Sequence, residues 1–197
     1  ESRFEGGNLS KAFMISEDEF DLEITTDISL KSPPIVGWFF FSIGLSSRAS
    51  PPSATRRIRI NITNLMKEDS LFRIGMLPAV LSSIRPLEIG WIRDGQELAY
   101  FKNEDESGMF TLSFVIPLDR GETKWVAESF PYTVGMLRSD IRTLLQVSPR
   151  NSMIREALCV TPGSMICDVL TITAPEEPTA IPMSERPGVM VTARVHP

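Results

Sequence analysis

The most metal-like donor in this sequence is its single histidine, His196, placed next to the last residue. Imidazole is a common zinc ligand, but zinc in a protein is held by three or four donors. The sequence has no Cys-x-x-Cys and no His-x-x-x-His pair, so nothing within it completes a zinc site. Read alone, His196 is an ordinary exposed histidine near a chain end. The acidic run Glu104-Asp105-Glu106 has oxygens suited to hard cations, yet Ser107-Gly108 behind it makes a solvated hairpin loop the reading. Gly6-Gly7-Asn8 has the composition of an anion-binding turn and equally of a plain reversal of direction, which is preferred. Arg56, Arg57 and Arg59 read as a solvated strand face. Trp38, Trp91 and Trp125 are expected in the core rather than on a sugar-stacking platform. Cys159 and Cys167 flank Pro162-Gly163-Ser164 symmetrically. Reduced thiols are expected, with a cross-hairpin bridge the open alternative.

The elements that would position these groups are mostly strands. Apolar Phe20, Leu22, Ile24 and Ile28 alternate with Asp21, Glu23 and Asp27; Ile58, Ile60 and Ile62 alternate with Arg57, Arg59 and Asn61. Phe110, Leu112, Phe114 and Ile116 alternate with Thr111 and Ser113. Period two places one set of side chains inward and the other toward solvent. Trp38 to Phe41 is apolar on both faces and predicts a central strand. Shorter strands are predicted near Phe72–Ile74, Trp91–Ile92, Leu98–Lys102 and Lys124–Glu128. After Pro131, the three- and four-residue spacing of Val134, Leu137, Ile141, Leu144 and Leu145 predicts an amphipathic helix, with Thr133 as a possible cap. Ser148-Pro149 stops it, and the domain boundary is placed there. Ile154–Val160 and Met165–Thr173 read as a hairpin, the Pro- and Glu-rich stretch Ala174–Pro187 as a loop, and Val189–Val195 as a strand delivering His196.

Composition bounds the function. With 42% hydrophobic and 23% charged residues the chain has material for a real core. Its net charge of −5, from 20 basic and 25 acidic residues, supplies no field for a phosphate backbone, and no nucleic acid partner is expected. The longest apolar run, Ile35–Leu45, contains Gly37, Ser42 and Gly44 and falls far short of the roughly 20 residues a membrane helix needs. No membrane partner is expected.

Along most of its length the sequence resembles the cytosolic carboxypeptidase family of zinc metallocarboxypeptidases. Phe4-Glu5-Gly6-Gly7-Asn8-Leu9 is similar to the family's Phe-Glu-Ser-Gly-Asn-Leu opening, with Gly6 in place of Ser. The similarity continues through Gly75-Met76-Leu77-Pro78, Trp91-x-Arg93-x-Gly95 and Phe130-Pro131-Tyr132-Thr133. Its most specific part is Leu158-Cys159-x-Thr161, Leu170-Thr171-Ile172-Thr173, and Arg186-Pro187 leading to Ala193-Arg194-Val195-His196-Pro197.

The resemblance implies a mainly β fold: an antiparallel β-sandwich accessory domain over 1–150, then over 151–197 the first strands of an α/β zinc carboxypeptidase domain. It implies Zn²⁺ as cofactor, with His196 as the first metal ligand of a His-x-x-Glu pair. The glutamate, the second histidine, the general base and the substrate-binding arginines would lie downstream, so the site is incomplete within this sequence and the fragment alone is expected to be inactive. No catalytic residue is assigned here. The implied activity is removal of C-terminal or branch glutamates from tubulin or other glutamate-rich tails in the cytoplasm. The implied partners are the chain's own catalytic domain and those tails. The competing reading is a non-catalytic β-sandwich that binds a protein or glycan.

Overall fold

The structure is a computed structural model that describes residues 1–26, 36–48, 55–149, 152–174 and 181–192. The chain divides into two compact units, Glu1–Thr133 and Val134–Pro197. This division falls ahead of the helix, whereas the sequence reading put the junction after it, at 150.

The first unit is a two-sheet β-sandwich. One sheet has the order β1 (Leu9–Ser16), β2 (Glu19–Ile24), β4 (Arg56–Leu65), β8 (Phe110–Leu118), β7 (Gln96–Lys102). The other runs β3 (Phe40–Gly44), β9 (Thr123–Ala127), β5 (Ala79–Ser82), β6 (Ile92–Arg93). Inward residues of both sheets share one core. Leu22, Ile24, Ile58, Ile60, Ile62, Leu112, Phe114 and Ile116 come from the first, and Phe41, Val80 and Val126 from the second. Those from the first sheet are the apolar positions of the period-two patterns. Burying them drives the two sheets together, at roughly 25 cal/mol per Å² of apolar surface. Ile28, the last residue of the first pattern, lies outside the described residues.

The pairing is antiparallel except between β2 and β4, which run parallel with Phe20 opposite Ile60 and Leu22 opposite Ile62. Parallel neighbours require a crossover. Here the chain passes through β3 in the opposite sheet before returning.

Several expectations are corrected. β3 is apolar on both faces but stands at the edge of its sheet, not the centre. Its outer edge is satisfied by the N-terminal segment: the Glu1 amino group donates to the Ser42 carbonyl at 2.8 Å, and the Ser42 and Asn8 amides donate to Glu1 and Phe40 carbonyls at 2.7 and 3.1 Å. Leu71–Ile74 is a 3-10 turn rather than a strand. The Ser70 hydroxyl accepts from the Phe72 amide at 3.3 Å, and Gly75, at φ 97°, closes the turn in the left-handed region. The three tryptophans are half-buried, and phenylalanines fill the core instead.

The second unit contains helix α1 (Val134–Val147), beginning directly after Thr133, and the antiparallel hairpin of β10 (Met153–Val160) and β11 (Ile166–Ile172). Of the helix's apolar stripe only Ile141 is buried. Arg155 clamps the hairpin across the strands, donating to both carboxylate oxygens of Asp168 at 2.8 and 3.1 Å. The strand expected over Val189–Val195 is not formed over its described part, Val189–Thr192. A strand exists through ladder hydrogen bonds to a neighbour, and among the described strands none pairs with this stretch.

Candidate functional site

The separated motifs of the first unit meet around Arg93. Its Nη1 donates to the Leu77 carbonyl at 2.7 Å and to the Glu128 carbonyl at 2.7 Å, and Nη2 donates to the Ser129 hydroxyl at 3.4 Å. The guanidinium carbon lies 5.3 Å from the centre of the Phe130 ring. Asp94 donates its amide to the Pro78 carbonyl at 3.1 Å. Gly95, at φ 144°, packs so that an added Cβ would stand 3.4 Å from Pro78 Cδ. One planar cation thus ties Leu77, Glu128 and Ser129 to β6, which a lysine ammonium could not match in geometry.

The opening motif joins the same sheet. Phe4 and Trp91 pack edge-on against Phe40 at 4.7 and 5.7 Å between ring centres, and the Trp38 indole donates to the Gly6 carbonyl at 3.0 Å. Gly6-Gly7-Asn8 is a structural reversal: Asn8 Oδ1 accepts from the Phe40 amide at 2.9 Å, and Nδ2 donates to the Trp38 carbonyl at 2.8 Å. A Cβ on Gly7 would lie 2.3 Å from the Ser2 carbonyl oxygen, so only glycine fits there.

The remaining candidates are accounted for by local pairing. Arg56 donates to Asp18 at 2.6 Å, and this hydrogen bond raises the guanidinium pKa above its ordinary value. Arg57 and Arg59 both pair with Glu97. This is the solvated strand face the alternation implies. Asp105 accepts from the Ser107 amide at 3.1 Å inside the β7–β8 hairpin loop, as expected of Glu104-Asp105-Glu106.

Sequence reasoning missed a buried polar group at one end of the sandwich. Lys124 points into the core side of β9, in register with Ile43 and Ser82. Its ammonium donates to the Pro117 carbonyl at 2.6 Å and stands 3.7 Å from Glu122, both side chains being 4% exposed. Glu122 accepts from the Ser82 hydroxyl at 2.5 Å and from the Asp119 amide at 2.8 Å. The only sequence signal is a lysine at an inward position between Val126 and Glu122. Glu122 is only two residues away, but the groups that hold the pair, Pro117, Ser82 and Asp119, lie on another segment or beyond a turn.

In the second unit, Arg186 gathers the two ends of the loop that precedes His196. Nε donates to the Ile181 carbonyl at 2.7 Å, and Nη1 donates to the Thr173 hydroxyl at 2.6 Å and the Ala174 carbonyl at 2.8 Å. His196 itself lies outside the described residues, as do Ala193, Arg194, Val195 and Pro197. Among the described residues no group of three or more His, Cys, Asp or Glu side chains could hold a metal ion. The residues described here therefore do not by themselves fit a zinc site.

The architecture is that of metallo-carboxypeptidases. The metallo-carboxypeptidase from Burkholderia cenocepacia superposes with a TM-score of 0.64 at 14% sequence identity, covering 92% of this chain and 41% of that one. The metallo-carboxypeptidase from Pseudomonas aeruginosa gives 0.60 at 14% identity, covering 91% and 41%. No family model matches the chain. Curated relatives are more specific. Cytosolic carboxypeptidase 2 of Danio rerio is 34% identical over 205 residues, which is 100% of this chain and 27% of the relative. Cytosolic carboxypeptidase 1 of Danio rerio is 32% identical over 216 residues and cytosolic carboxypeptidase 4 of Homo sapiens 33% over 217, covering the whole of this chain and 18% and 19% of those proteins. The chain is a relative of the cytosolic carboxypeptidases along its full length, and it spans about a fifth to a quarter of theirs.

Proposed function

We propose that this chain is the N-terminal part of a zinc-dependent metallocarboxypeptidase that removes C-terminal or branch glutamates from tubulin-like protein tails in the cytoplasm. The observation that carries this reading is the full-length match to the cytosolic carboxypeptidases over so limited a share of their length. Residues 1–150 serve as the accessory β-sandwich and 151–197 open the catalytic domain. A zinc peptidase holds its metal with three protein donors and leaves one position for water or substrate. In this reading His196 is one donor, and the others belong to the remainder of the polypeptide.

The sandwich supports the catalytic domain and limits which tails approach it. Its motif residues act in that role through architecture. Arg93 and Asn8 hold backbone segments together, and Trp91 packs against Phe40. By itself the 197-residue chain is inactive.

The test compares a longer polypeptide containing this chain with the 197 residues alone, measuring glutamate released from a polyglutamylated peptide and zinc bound per molecule. The longer protein is expected to release glutamate and bind one zinc. His196→Ala in it is expected to lose the metal, and the short chain to do neither. Full zinc binding by the His196→Ala protein would remove this residue from the site. Absence of both zinc and glutamate release in the longer protein would leave the non-catalytic binding module as the better account.

A further inference from the structure

In the β10–β11 hairpin the two cysteines of the chain stand directly opposite one another, Cys159 across from Cys167. The pairing depends on an irregularity. From Met153 to Ala157 the register pairs Ala157 with Asp168, and continued without interruption it would set Leu158 against Cys167. A one-residue shift between Ala157 and Cys159 leaves Leu158 as the extra residue and brings Cys159 opposite Cys167, after which Val160 pairs with Ile166.

Directly opposed residues of an antiparallel pair project from the same face, with Cβ atoms about 4.5–5.5 Å apart. A disulfide needs about 3.5–4.5 Å between Cβ atoms and a Cα separation that neighbouring strands already satisfy. The remaining gap is of the order of 1 Å, within what strand twist can close. Both thiols are free and exposed, so a soluble oxidant can reach them.

We infer that Cys159 and Cys167 form a reversible dithiol–disulfide site, closed by a small-molecule disulfide of the glutathione class. The thiolate of one cysteine attacks the glutathione disulfide, forming a protein–glutathione mixed disulfide and releasing one glutathione thiolate. The second cysteine then attacks the protein sulfur, forming the Cys159–Cys167 bond and releasing the second glutathione. Two protein thiols are oxidised and one glutathione disulfide is reduced to two thiols, so atoms and electrons balance. A bond that must draw adjacent strands about 1 Å closer carries some strain, which favours ready reduction and makes the site a reversible one. When closed, it pins the bulge at Leu158. A slip of one residue, which would turn every side chain of one strand to the other face, is then blocked.

The test equilibrates the 197-residue chain in glutathione redox buffers and reads intact mass after acid quenching, with a non-reducing gel alongside. The expected oxidised species is a monomer lighter by two hydrogens and carrying no glutathione. The equilibrium constant in native buffer is expected to exceed that in urea by at least tenfold, a shift of about 30 mV. Cys167→Ser combined with Asp168→Cys moves one thiol to the opposite face of the hairpin and is expected to accumulate the glutathione adduct. Persistent adducts on the unsubstituted chain, covalent dimers, thiols that stay reduced, or equal constants in urea and native buffer would each overturn the assignment. So would bridging of the relocated pair as readily as the native one.

Discussion

Arg93 and Leu77, sixteen positions apart, are joined by a 2.7 Å hydrogen bond from guanidinium to carbonyl, and the same nitrogen reaches Glu128. A resemblance in three short stretches of sequence becomes, in three dimensions, one cation and its acceptors.

Arg93→Ala leaves the Leu77 and Glu128 carbonyls without this donor and removes the cation from Phe130. Hydrogen bonds to a charged group contribute about 1.5–3 kcal/mol each, so a loss of roughly 3 kcal/mol is expected. Arg93→Lys should recover only part of it, because an ammonium on a flexible stem cannot repeat the planar fork. Urea denaturation of the three proteins checks the order.

Lys124→Met leaves the Glu122 carboxylate with its Ser82 and Asp119 hydrogen bonds but without its countercharge, in a place where both side chains are 4% exposed. Breaking a buried pair from one side costs about 3–5 kcal/mol. Replacing both, Lys124→Met with Glu122→Gln, should cost less than the single change, since no unpaired charge is left inside. Equal urea midpoints for single and double variants would contradict the pairing.

Gly7→Ala drives a Cβ to within 2.3 Å of a backbone oxygen, which no side-chain rotation relieves. The N-terminal segment must then shift away from β3. A loss of about 1–3 kcal/mol is expected, the common range for steric insertions. Faster amide exchange at Ser42, whose amide donates to Glu1, would locate the damage.

Tyr100 stacks on Phe110 with ring centres 5.7 Å apart, and burial raises its pKa above 10.0. The neutral phenol is thus favoured in the folded state. Its contribution to stability is fully present below the unfolded pKa and is lost as pH rises through the folded one. Tyr100 should ionise later than an ordinary tyrosine in an alkaline absorbance titration of the folded protein. Tyr100→Phe should remove that late phase and flatten the fall of stability above about pH 10.

What the sequence disclosed was the part governed by a single periodicity. β2 and β4 were legible because each buries one face, so apolar residues recur at every second position; β8 carries the same alternation of residue types although Thr111 and Ser113 on its other face are buried too. β1 was missed for the opposite reason: Lys11 to Ser16 are all exposed, and no inward face imprints a pattern on them. Phe72 to Ile74 had strand-like residues but sits between a serine cap and a left-handed glycine, and the local turn overrides propensity. β3 looked central because Phe39 and Phe41 face the core while Phe40 meets Phe4 and Trp91. Only the tertiary arrangement shows that its covering neighbour is the chain's own beginning. Lys124 and Glu122 are sequence neighbours, but their burial together against Pro117 and Ser82 was likewise set by the tertiary arrangement. Of the site, the motif stretches were readable one by one, while their convergence on Arg93 was not. His196, the predicted ligand, falls outside the described residues.

The parallel junction of β2 with β4 has a consequence for how this sandwich comes into being. A meander can add each strand to the hairpin before it. Here β2 must wait, unpaired on that side, until β3 has been laid into the other layer and β4 has come back beside it. Assembly is therefore dominated by partners distant along the chain, which places the unit among slow folders. While it waits, its exposed edge is open to chaperones or to a neighbouring nascent chain.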